Sequence, residues 1–251
     1  MKISFLSLLL YTSLATVPSL SLAQTNAANK VLEQHQQTLR FFEIKPHLNV
    51  LSLAPRAPWY QQLLAQYLNV AGKPYAMQAL KPVDGIENDA APSLVFNNNA
   101  SLPLSTDNSL DRVLAIHSVH QWMQQDVAAS AFTAFYKMLK PGGVLGIVQH
   151  RNGHLKPQDK QALSGYVSED YVIELARKAG FEFLAKTEIN ANSKDSKDYP
   201  AGAETLPPVL KLQAQNRQHY LAIGQSDSMT IKFIKPTKTA LLDKIREAVA
   251  F

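Results

Sequence analysis

The chain has 251 residues, 46% of them hydrophobic, with 25 Lys and Arg against 20 Asp and Glu and no cysteine. Such a length and apolar content suffice for one sizeable core. The lack of cysteine excludes disulfides, thiolate metal sites, a Cys nucleophile and a lipid on an N-terminal Cys. A formal charge of +5 without a dense Lys/Arg stripe points away from nucleic acid as a partner.

Residues 1–23 combine Lys2, an apolar run from Ile3 to about Val17, and Ser21-Leu22-Ala23. This is the layout of a signal peptide cut after Ala23. The alternative, an uncleaved anchor, needs about 20 predominantly apolar residues, and here serines, threonines and Pro18 dilute the run. The mature chain is therefore expected to be periplasmic or secreted, with no stable membrane span after cleavage. Removing Lys2, the single charge in the leader, takes the formal charge from +5 to +4.

The apolar positions Val31, Leu32, Leu39 and Phe42 suggest a helix that ends before Pro46. Val50 to Leu53 follows as a first strand. A second helix from about Trp59 carries Leu63, Leu64, Tyr67 and Leu68 and stops by Gly72-Lys73-Pro74. Residues 75–80 and 93–96 are candidate strands in a loop-rich stretch. Asp111 to Ile116 is a strand followed by a polar and aromatic loop. A helix over about 126–139 stops at Lys140-Pro141-Gly142-Gly143, before a buried strand at 144–150. Ser168 caps a further helix, with Glu169 and Asp170 in its first turn and Gly180 after its last. Two strand-like runs, 181–190 and 219–236, flank about 30 polar residues that read either as a lid or as a solvated connection. Residues 237–251 close as an amphipathic helix. The expected division is a leader at 1–23, one domain at 24–236 and this helix.

Strands alternating with helices across short turns imply a largely parallel sheet covered on both faces. The detailed pattern resembles the class I S-adenosylmethionine-dependent methyltransferases, and more closely a group of exported predicted methyltransferases. The residues that carry the likeness are Pro55, Trp59-Tyr60, Trp122, Leu139 to Gly143, His150-Arg151, Asn192-Ser193-Lys194-Asp195, Leu206-Pro207-Pro208, Ser226-Asp227 and Met229. They span roughly Leu39 to Pro236. The resemblance implies an α/β Rossmann-like methyltransferase sheet, mostly parallel with an antiparallel C-terminal strand pair and helices on both faces. It also implies S-adenosylmethionine as cofactor and methyl transfer to an acceptor, a small molecule before a macromolecule.

The cofactor motif departs from the group's pattern. Ser52 stands for an acid, Arg56, Ala57 and Pro58 for three glycines, and Gln149 for the acid before His-Arg. Glycine admits close backbone approach to a ligand, whereas proline removes an N–H donor. On the resemblance, Ser52, Arg56, Trp59 and Gln78 would surround the cofactor, while His117, His120, Trp122 and His150 would face the acceptor. The alternative is a non-catalytic periplasmic binding or accessory protein that keeps the fold.

The histidines admit three readings: a general base or orienting residue, with His117 and His150 foremost; a three-His metal site; or locally bonded loop histidines. No metal-binding helix motif supports the second, and no metal is assigned. Trp59, Tyr60 and Trp122 either wall a pocket or cover the sheet.

Overall fold

A computed structural model describes residues 22–53, 58–68, 76–79, 94–97, 107–212, 214–237 and 239–240. The chain forms two compact units, Met1–Glu33 and Gln34–Phe251. In the first, the described residues are the opening turns of helix α1. The elements run α1 (Leu22–Phe41), β1 (Val50–Leu53), α2 (Pro58–Leu68), β2 (Ala76–Ala79), β3 (Leu94–Asn97), β4 (Leu110–Ile116) and α3 (Val119–Gln124). They continue as α4 (Ala128–Met138), β5 (Leu139–His150), α5 (Glu169–Ala179), β6 (Glu182–Thr187), α6 (Arg217–Ile223) and β7 (Ser228–Ile234).

The strands form one sheet in the order β2-β3-β1-β4-β5-β7-β6. The central trio β1, β4 and β5 is parallel. Strand β7 runs antiparallel to both β5 and β6, and β3 runs antiparallel to both β1 and β2. Five strands thus share one direction. The expected antiparallel pair at the C-terminal side is a single reversed strand, β7, inserted beside a β6 that keeps the common direction. The reversal at β3 was not expected.

Side chains alternate across this sheet as the strand period of two requires. Leu51, Leu53, Val113, Ala115, Leu145 and Ile147 enter a core on the face covered by α3, α4 and α5. Val50, Leu114, Ile116 and Val148 enter a second core with Leu39, Phe42, Tyr60 and Leu64 from the α1 and α2 side. The chain therefore crosses from one face to the other between β1 and β4, a topological switch point of the kind at which open α/β sheets bind ligands. This layered sheet, with five strands in one direction and β3 and β7 reversed, is a Rossmann-like α/β fold.

Helix α5 has the caps its sequence implies: the Ser168 hydroxyl accepts from Tyr171 N–H, and Gly180 takes φ 102°. Two expectations fail. The loop after β4 contains α3, because Val119, Trp122 and Met123, at i, i+3 and i+4, are all buried. The start of the last strand-like run is helix α6, and β7 begins only at Ser228. Residues 1–21 of the expected leader and the C-terminal helix beyond residue 240 lie outside the described residues. Among those described, no helix is long and apolar enough to cross a membrane.

Candidate functional site

The carboxyl ends of β4 and β5 place His117 and His150 side by side. Their rings stack at 4.0 Å between centroids with 17° between planes. His117 holds φ 52°, an uncommon backbone for a residue with a side chain, and its N–H donates to Val148 O at 2.7 Å. The next residue secures the switch point: the buried Ser118 Oγ lies 3.0 Å from Leu53 O at the end of β1 and donates to it.

Around the stacked pair the polar groups are mostly neutral. His117 Nε2 lies 3.3 Å from Ser228 Oγ, and His150 Nδ1 lies 2.5 Å from Ser226 Oγ, the first serine opening β7 and the second lying two residues before it. His120, on α3, tilts against His150 at 5.5 Å. Burial pushes the His117 imidazole down to about 3, and nearby His120 and His35 add to the effect. Burial likewise lowers His35, on α1, to about 4. Both rings are neutral at pH 7. Tyr166 packs edge-on to His150 and donates its hydroxyl to Asp195 at 2.9 Å. Burial, then the Asp195 charge, holds that hydroxyl far above its usual pKa, so it remains a donor.

The residue after His150 faces a different set of partners. Arg151 pairs with Asp227 through two bonds, Nε to Oδ2 at 3.1 Å and Nη2 to Oδ1 at 2.8 Å, and with Glu169 at 3.1 Å and Glu188 at 2.7 Å. Lys197 adds a 2.8 Å contact to Asp227. Burial alone would raise the Asp227 carboxyl, but its bonds to Arg151 and Lys197 outweigh that and hold it low. A cavity of about 430 Å³ opens beside this network, and His154 lines it. His154 is thereby separated from the other histidines.

The candidate residues from the sequence divide as follows. His117, His120 and His150 converge. Trp122 does not face the cleft: it is fully buried against Phe132 and Phe135, because α3 turns its apolar side into the core. It packs in that core, and its indole Nε1 has no hydrogen-bond partner among the described residues. Ser52 is also fully buried near the end of β1, and its hydroxyl has no hydrogen-bond partner among the described residues. Arg56 lies outside the described residues, as do the side chains of Trp59 and Gln78. Among the described residues no group of three His, Asp or Glu is arranged to hold a metal ion.

The long connection after β6, much of it exposed, is tied to the domain at several points. Asp195 accepts from Tyr166 Oη and from the N–H groups of Asp227 and Lys197, and Ala203 N donates to Ser164 O at 2.9 Å. Ala203, Thr205 and Leu206 are buried, so this part of the segment packs on the domain.

Sequence reasoning missed His35, Tyr166, Ser226 and Ser228. His35 was within reach, since with Leu39 at i+4 and Phe42 at i+7 it shares the buried face of its helix. Ser226 was visible as part of a motif, but its imidazole partner lies 76 residues away.

No family model and no curated protein matches the chain. Solved structures do resemble it. The cyclase SpnF is 14% identical, with a TM-score of 0.47 over 85% of this chain and 83% of that one. A SAM dependent methyltransferase from Aquifex aeolicus is 18% identical, with a TM-score of 0.42 over 61% and 82%. The 1,6-didemethyltoxoflavin-N1-methyltransferase of Burkholderia thailandensis, solved with S-adenosylhomocysteine, is 10% identical, with a TM-score of 0.44 over 86% and 83%.

Proposed function

We propose that this chain is an exported, periplasmic or secreted methyltransferase, its leader at 1–23 removed, that moves a methyl group from S-adenosylmethionine to a small-molecule acceptor. The observation that carries the reading is the stacked His117–His150 pair at the carboxyl ends of β4 and β5, beside the switch point of a methyltransferase-type sheet.

Two features of the site suit a sulfonium cofactor. His117 is neutral; were it charged, a second cation about 4 Å away would cost roughly 4 kcal/mol at an effective dielectric of 20. Ser52 offers a buried hydroxyl without a partner among the described residues, near the end of β1, where a polar ligand would complete it. Ser52 would therefore contact the cofactor, with Arg56, Trp59 and Gln78 proposed as further contacts. Bound S-adenosylmethionine supplies an electrophilic methyl group.

The chain's own residues do the rest. His117, neutral and stacked on His150, holds that ring so that its Nε2 accepts a hydrogen bond from the acceptor's O–H or N–H and the acceptor's lone pair turns toward the cofactor side of the cleft. His150, held at Nδ1 by Ser226, receives the departing proton at Nε2 and passes it to solvent. Positioning and desolvation would supply most of the rate.

Calorimetric titration with S-adenosylmethionine and S-adenosylhomocysteine tests this. Binding tighter than about 100 μM, roughly −5.5 kcal/mol, is the expected result. No heat at millimolar ligand overturns it.

A further inference from the structure

We propose that the cavity beside Arg151 binds a small zwitterion, an amino acid or dipeptide with one carboxylate and one ammonium group. None of the stacked histidines lines this cavity, so the site stands apart from the proposed methyl transfer.

Its volume, about 430 Å³, falls within the range that encloses a small organic ligand. The charged lining is balanced, with Arg151, Lys186 and Lys197 against Glu169, Asp170 and Asp227. A divalent cation would meet the three basic groups, and a phosphate the three carboxylates, so an ion of one sign gains little. A molecule with one charge of each sign matches both halves of the lining.

Most of this charge forms a closed floor. All five N–H groups of Arg151 are engaged, by Asp227, Glu169 and Glu188. The buried Asp227 also accepts from the Asn192 N–H and from Lys197, and Glu169 pairs with Lys186 at 2.7 Å. These residues come from the end of β5, the first turn of α5, β6, the connection after it and the approach to β7. Their mutual bonds set the floor before any ligand arrives, so binding need not order it.

The groups left over differ in sign. Lys197 Nζ makes one contact, 2.8 Å to Asp227, which leaves two of its three N–H groups for a ligand. That side chain is only 18% exposed, and the Lys197 backbone N–H is tied to Asp195 Oδ1 at 2.9 Å, so the ammonium is held in place. Ser168 Oγ accepts from the Tyr171 N–H, and its own O–H meets no acceptor among the described residues. Lys197 and Ser168 are the donors for a ligand carboxylate. Asp170, two residues after Ser168, has no hydrogen bond or ion pair among the described residues. Because the three basic groups of the lining are already paired with other carboxylates, Asp170 is the partner for a ligand ammonium.

The test is a 1H–15N amide titration of the full chain with L-glutamine and with glycylglycine, using acetate, ethylammonium and phosphate as controls of one sign. The expected result is a saturable shift at the Ser168, Asp170 and Lys197 amides with a midpoint below about 5 mM for at least one zwitterion, and weaker binding of every control. Asp170→Asn removes an exposed carboxylate that holds nothing in the fold, so the variant is expected to fold and to bind the zwitterion about fivefold more weakly or worse. No midpoint below about 5 mM, a control that binds as tightly as the zwitterions, or unchanged affinity in Asp170→Asn overturns the proposal. A zwitterion that binds here while S-adenosylhomocysteine binds nowhere would contradict the proposed function and leave this site standing.

Discussion

His150 and Arg151 are consecutive residues at the end of one strand, and the chemistry on their two sides differs in kind. On the His150 side, imidazoles meet the hydroxyls of Ser226 and Ser228, and His117 holds a strained backbone. On the Arg151 side, one guanidinium satisfies three carboxylates, and its own pKa is raised first by Asp227, then by Glu188. The second arrangement anchors β5 to β7 and to the start of α5. The first is built from groups that can exchange a neutral hydrogen bond for one to a ligand. Because strand residues alternate in direction, one position separates scaffold from site.

The comparison is sharpest in stability. Arg151→Met should cost about 3 kcal/mol, because it strands Asp227, whose side chain is 7% exposed, with only Lys197 and the Asn192 N–H as partners. His150→Gln should cost less, about 1.5 kcal/mol, since it strands no buried charge and loses the Ser226 bond and ring contacts. Urea denaturation of the two variants checks this, and the reverse order would break the contrast. Activity should invert it: His117→Gln and His150→Gln should each lower turnover by about a hundredfold, near 2.7 kcal/mol, with little change in cofactor affinity.

Acid should separate the two sides as well. His117 and His35 are depressed in the folded protein, so their contribution is complete above pH 6.5 and declines as pH falls toward about 4 for His35 and about 3 for His117. The slope is at most about 1.4 kcal/mol per pH unit for each ring. Asp227 and Glu169 are depressed from 3.8 and 4.5, so their contribution is lost only below those values. Stability measured against pH should therefore fall in two stages, and His117→Gln should shrink the earlier one. The smallest effect expected is for Gly165→Ala, about 1 kcal/mol. Its φ of 82° disfavours a side chain, while the new Cβ would stand 3.4 Å from Ala203 Cβ and 3.8 Å from the His150 ring.

Periodicity made the two-faced sheet legible. Val50 to Leu53 and Asp111 to Ile116 are apolar on both sides, as strands buried under helices must be, and the caps of α5 stand in its sequence. What stayed hidden depends on contacts between distant residues. The reversal of β3 arises from pairing with β1 some 40 residues earlier, and no local pattern encodes it. Trp122 reads the same whether it lines a pocket or fills a core; four buried positions on a six-residue helix place it in the core. Likewise, the histidines of β4 and β5 could be placed at strand ends. Their stacking, and the serines of β7 that hold them, required the insertion of that strand beside β5.

The most direct test is an imidazole and guanidinium NMR titration of the full chain with S-adenosylhomocysteine. The account predicts that His117 and His150 signals move with a single midpoint below about 100 μM, while the Arg151 Nε–H signal stays in place. Shifts confined to Arg151 and its neighbours, or no shift at millimolar ligand, would contradict the assignment of the ligand to the histidine side of β5.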